Sequence, residues 1–117
     1  MVKHIVTQEA NDYSVGTNTS SAVNIANFGE AKSVTMIASA TLGASATITA
    51  QLKGCATASG TYTDIAGGTI TLSANGNSYV TIDIPADVNY LKVALTVATA
   101  ASKACVALIF GKIRINT

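Results

Sequence analysis

The chain has 117 residues, a net charge of +1, 49% hydrophobic residues and 11% charged ones. One domain is the simplest reading at this length, and such a chain buries roughly two thirds of its unfolded surface. The composition excludes ordinary disorder, which needs low hydrophobicity and high net charge. It also offers no clustered Lys and Arg for nucleic acid.

The first segment, MVKHIVTQEANDY, has no apolar run of about 7–15 residues and does not read as a secretion signal, so synthesis in the cytoplasm is expected. No stretch reaches the roughly 18 uninterrupted apolar residues of a membrane helix, and no membrane partner is expected. Residues 1–21, which include TQEANDYSVGTNTSS, are polar, rich in small residues and weak in strand pattern. They predict an extended N-terminal arm that orders on a partner. VKHIV and SAVNIANF are short candidate strands.

From residue 32 onwards alternation with period two takes over, and the helical period is nearly absent. In KSVTMIASATL, Val34, Met36, Ala38, Ala40 and Leu42 share one parity. ATITAQLK places Ala46, Ile48, Ala50 and Leu52 on one face and Thr47, Thr49, Gln51 and Lys53 on the other. GTITLSA turns Ile70 and Leu72 inward, SYVTIDI does so with Val80, Ile82 and Ile84, and NYLKVALTVA with Leu91, Val93, Leu95 and Val97. Between these runs lie LGAS, ASGTYTD, ANGNS, PADVN and ATAAS, built of turn-forming residues. Asn75–Gly76 is the strongest hairpin signal among them. Many short strands at this spacing predict an all-β protein: one antiparallel, jelly-roll-like β-sandwich of about eight strands over residues 1–117.

The last segment, ACVALIFGKIRI, is apolar on both parities. Val106, Leu108 and Phe110 share one, while Ile109, Ile113 and Ile115 share the other. One sandwich core buries only one face of a strand, so the second face needs another cover. The chain's own N-terminal segment is one candidate cover. A neighbouring copy is the other, which makes Phe110, Ile109, Ile113 and Ile115 candidate interface residues in a homo-oligomer, a dimer or trimer.

Catalytic readings fail on chemistry. Cys55, Tyr62 and Asp64 cluster within LKGCATASGTYTDIAGG, yet no base or cation adjoins the thiol in sequence to depress its pKa. The stretch therefore reads as a loop between strands. His4 is the lone histidine and cannot build a multi-histidine metal site. Cys55 and Cys105 read as reduced, buried small hydrophobes rather than a disulfide or metal pair. Asp83 and Asp87 flank Pro85 and read as a solvated strand residue and a turn residue rather than a glycosidase pair. No phosphate loop precedes a helix, and no cofactor is expected.

Taken together, the strand ATITAQLKG, the small-residue loop, GTYTDIAGG and the strand NYLKVALTV resemble the head decoration, or cement, proteins of tailed bacteriophages over roughly residues 32–113. The resemblance implies a jelly-roll-like sandwich without catalytic residues that sits on the capsid exterior, binds the major capsid protein and stabilises the shell. The alternative is a small tail- or fibre-associated module recognising a host surface glycan. Its mark, aromatic and acidic residues clustered on loops, is barely present here.

Overall fold

The computed structural model describes residues 3–28 and 32–111. Nine strands account for most of them: β1 (Lys3–Tyr13), β2 (Gly16–Thr19), β3 (Val23–Asn24), β4 (Ser33–Thr41), β5 (Thr47–Cys55), β6 (Thr63–Leu72), β7 (Gly76–Asp83), β8 (Tyr90–Ala98) and β9 (Ser102–Phe110). A single 3₁₀ turn, Ile25–Phe28, follows β3, and the described residues contain no α-helix. In β4, β5 and β9 the buried positions fall on alternate residues, as the period-two pattern requires, and β8 departs from it only at buried Ala94.

The strands form two antiparallel sheets, one in the order β1-β9-β4-β7 and the other β2-β8-β5-β6, with β3 also paired to β8. If β2 and β3 count as one interrupted strand, the nine become eight. The pairing is then nested: β1 with β9, β2 and β3 with β8, β4 with β7, and β5 with β6. The chain is in effect one long hairpin, with its tip between β5 and β6, rolled up until β9 meets β4 and β8 meets β5. That arrangement is a jelly-roll sandwich. Its extents are 47 × 30 × 21 Å.

Asn75–Gly76 does not close a hairpin. β6 and β7 belong to different sheets, and the short segment between them carries the chain across the sandwich. Asn75 instead holds the end of β4, its side-chain oxygen accepting from the Leu42 amide at 2.8 Å. Gly76 has a φ of 143°, so the glycine signal was real while the partner was not. At the same end Gly43 donates to Ser102 Oγ (3.0 Å), and a side chain at Gly43 would run into the Ala101 carbonyl oxygen.

Between the sheets lie Met36, Ile48, Leu52, Leu91, Leu95 and Leu108, all fully buried. The segment expected as an arm is extended but belongs to the sandwich: residues 3–13 pair with β9 and residues 16–19 with β8. Its register with β9 slips twice, between Val6 and Gln8 and between Gln8 and Asn11. Such bulges break the alternation along β1 and let Gln8 point inward although Val6 points out. Buried Gln8 then spans the two sheets. Its Nε2 donates to the carbonyls of Val93 (2.8 Å) and Asn18 (3.2 Å), and its Oε1 accepts from Thr7 Oγ1 (2.6 Å).

Phe110 requires a correction. It lies 3% exposed in the core with its ring stacked on Phe28, centroids 4.4 Å apart, so it is not available to a partner. The cysteines differ from expectation in the other sense. Both are free, and both are half-buried on outward-facing parities rather than in the core. They sit on opposite outer faces of the sandwich, which rules out a bond between them within one chain.

Candidate interaction surface

The register assembles a surface that no single strand displays. Val6 is opposite Ala107, Ala107 opposite Ile37, and Ile37 opposite Tyr79. These four residues form an apolar row across the outer face of the β1-β9-β4-β7 sheet. Val6 and Tyr79, its two ends, are 43% and 69% exposed. One row away His4, Ile109, Thr35 and Thr81 run in parallel, the two threonine hydroxyls 2.9 Å apart. On the other flank lie Cys105, Ser39 and Asn77. The charged residues are few: Glu9, exposed on β1 where its register slips, the Asp12–Lys103 pair (3.2 Å) at one end and Asp83 at the other.

Of the sequence-derived interface candidates, Ile109 belongs to this face, half-buried between His4 and Thr35. Phe110 belongs to the core, and Ile113 and Ile115 lie outside the described residues. Val6, Ile37 and Tyr79 were not singled out from the sequence. Each is one apolar residue on the polar parity of its strand, and only the cross-strand register aligns them.

The opposite sheet carries the cysteine, tyrosine and aspartate of the LKGCATASGTYTDIAGG stretch. Cys55 ends β5, residues 56–62 form the loop, and Asp64 lies in β6 opposite Lys53. The structure does bring cations to this place, and both are engaged. Lys53 Nζ binds Asp64 Oδ1 at 2.7 Å, and Lys92 Nζ stands 4.5 Å above the Tyr62 ring. The Tyr62 hydroxyl donates to the Ala58 carbonyl (2.8 Å), and burial, Cys55 and Tyr90 raise its pKa above the ordinary 10.0. A tyrosine held protonated is no general base. Beside the Cys55 thiol stands Thr57 Oγ1, at 3.9 Å. The arrangement fastens a loop to a strand pair.

A cleft of about 450 Å³ opens at the end of the sandwich between the 3₁₀ turn, Ala56 and residues 84–90. Its two amides are spent on backbone: Asn24 Oδ1 accepts from the Ala26 amide and Asn89 Nδ2 donates to the Ala56 carbonyl. Lys32 and Tyr90 also line it, and no acidic residue or histidine stands among its described lining residues. Among the described residues no three of His, Cys, Asp or Glu come together as metal ligands. Nor, among the described residues, is any helix long and apolar enough to cross a membrane.

No protein-family model matches the sequence, and no curated protein matches it either. The fold does have relatives among solved structures. The PBSX exported protein XepA superposes with a TM-score of 0.68 at 10% identity over 98% of this chain. This chain spans only 40% of the XepA chain. The SPBc2 prophage-derived protein YomS gives 0.63 at 12% identity, with 93% of each chain covered. The VP2 subviral particle of infectious bursal disease virus gives 0.57 at 14% identity, over 93% of this chain and 31% of VP2. Identities this low establish a shared sandwich and nothing about shared residues. The fold is shared with a PBSX exported protein, a prophage-derived protein and a protein of a subviral particle.

Proposed function

We propose that this protein is a structural, non-enzymatic component of a phage virion, a decoration or cement protein that binds the outer surface of the capsid and reinforces the shell. The observation that carries the reading is the outer face of the β1-β9-β4-β7 sheet. It has an apolar row from Val6 to Tyr79 and is otherwise nearly uncharged, so it approaches a partner with little desolvation cost. The likeness in fold to two prophage-derived proteins and to VP2 supports the same direction. The partner is then the major capsid protein, met after synthesis in the host cytoplasm, with copies of this chain adjoining one another on the lattice. Each contact need be only of ordinary size, about 1,200–2,000 Å² if stable. Simultaneous contact with several shell subunits adds avidity by raising the effective concentration.

Gold-labelled antibody on purified virions tests the location. Label over the head supports the reading, whereas label on the tail or absence from the particle overturns it. Ile37→Asp places a charge in the centre of the row without touching the core. It is expected to lower head occupancy at least about tenfold, some 1.4 kcal/mol, with the melting temperature unchanged.

A further inference from the structure

We infer that the free edge of β7 is a self-association site, at which a second copy of this chain adds its own β7 antiparallel and joins two four-stranded sheets into one of eight strands. The inference concerns the free protein and does not depend on capsid binding.

The sandwich has four edge strands, and three of them are blunted in ways that oppose strand addition. β1 is bulged twice, β2 is four residues long, and β6 kinks at Gly67 (φ 79°) where its register with β5 breaks. β7 has none of these devices. It runs eight residues in unbroken register with β4, without proline or lysine, and its one charge is Asp83 at the very end.

The hydrogen-bond phase of that edge follows from one contact. Ile84 donates to the Lys32 carbonyl (2.9 Å), so the 84/32 pair is hydrogen-bonded, and alternate pairs 82/34, 80/36 and 78/38 are too. The amides and carbonyls of Asn77, Tyr79, Thr81 and Asp83 consequently point away from β4. Among the described residues β7 pairs with β4 alone. All four residues are exposed.

A two-fold axis through Val80 uses every one of these groups. It sets Tyr79 opposite Thr81 of the second copy and Asn77 opposite Asp83, each as a hydrogen-bonded pair and each repeated by symmetry. No like charges oppose one another. On the inner face Val80, only half-buried in one copy, meets Val80 of the other and closes the open side of the core. On the outer face the two Tyr79 rings become diagonal neighbours. The apolar rows of the two sheets, offset by two residues, meet at this pair of rings.

Sedimentation equilibrium of the full chain, wild type against Thr81→Pro, tests this. The Thr81 amide faces the free edge, so proline there removes intermolecular bonds while leaving the ladder to β4 intact. The wild type is expected to be a dimer and the variant to dissociate at least about tenfold more readily. Thr81→Lys, which adds an edge charge and leaves the backbone unaltered, is expected to act in the same direction should the proline variant fail to fold. In a Cys55→Ser/Cys105→Ser background, Val80→Cys is expected to oxidise to a covalent dimer, because opposed residues at the axis have Cα atoms about 4.5 Å apart. A wild type that stays monomeric overturns the inference. So does an oligomer untouched by both Thr81 changes, or failure of the Val80→Cys cross-link.

Discussion

Gln8 shows how much one side chain settles in this sandwich. It is buried between the sheets and gives both amide protons to carbonyls of the opposite sheet, so β1 is fastened to β2 and β8 as well as to β9. Truncation leaves a cavity and strips the Asn18 carbonyl of this donor. Gln8→Ala is therefore expected to lower stability by about 2–3 kcal/mol, since buried polar groups left unpaired cost about 1–3 kcal/mol and the lost packing adds to it. A shift of the denaturant midpoint at unchanged slope would show it. Ile109 and Phe110 make the complementary point, since neighbours on a strand face opposite ways and have opposite fates. The tyrosines add a pH dependence. Burial raises the pKa of Tyr13 and Tyr62 above 10.0, with Cys105 and Glu9 contributing at Tyr13 and Cys55 and Tyr90 at Tyr62. Above 10.0 the unfolded chain loses these protons while the folded chain retains them. Stability is thus full below that pH and falls as pH rises through the folded-state values. The melting temperature is expected to decline in alkali, and less steeply in a Tyr13→Phe/Tyr62→Phe variant.

At the scale of elements, β1 departs furthest from what its residues suggest. TQEANDY shows no alternation and by itself suggests an arm, and the two bulges are the reason. A bulge moves one residue out of phase, so the inward positions Ile5, Gln8 and Tyr13 follow no fixed period. Removal of residues 1–21 would expose one side of β9 and the sheet interior beneath it. The truncated chain is expected to lose cooperative unfolding and to bind a hydrophobic dye. A native-like melting curve for that fragment would show that the first two strands are dispensable. The β6–β7 connection went the other way: its turn chemistry was legible and its topology was not. A short turn serves equally to join strands within a sheet or across a sandwich, and the choice depends on which neighbour is already taken. Here β4 occupies the inner edge of β7.

At the scale of the molecule, nested pairing means that the outermost ladder joins residue 3 to residue 110. Closing so long a loop precedes any gain from the contacts it permits, so folding should be slow for a chain of this size. Refolding from denaturant is expected on the millisecond-to-second scale typical of such all-β topologies. Stopped-flow fluorescence of a labelled chain, or circular dichroism, would measure it. Gln8→Ala should chiefly speed unfolding if the outer ladder forms last, leaving the refolding rate nearly unchanged.

The sequence by itself determined most of the strands from residue 33 to 110 and which of their aliphatic residues face inward, although the first half of β6, from Thr63, reads as loop and the two cysteines read as buried. That information is local, carried by alternation and by turn residues between runs. It also determined the all-β class, whereas the cations Lys53 and Lys92 near the Cys55 loop, and their engagement with Asp64 and Tyr62, came only from the strand pairing. Only the tertiary structure decided which strand lies beside which. Pairing is a competition among distant segments with similar patterns, and its outcome depends on closure of the whole roll. From that outcome follow the row Val6–Ala107–Ile37–Tyr79, the inward turn of Gln8 and the open edge of β7. None of these is a property of any one stretch of chain, because each is made by register between strands far apart in sequence.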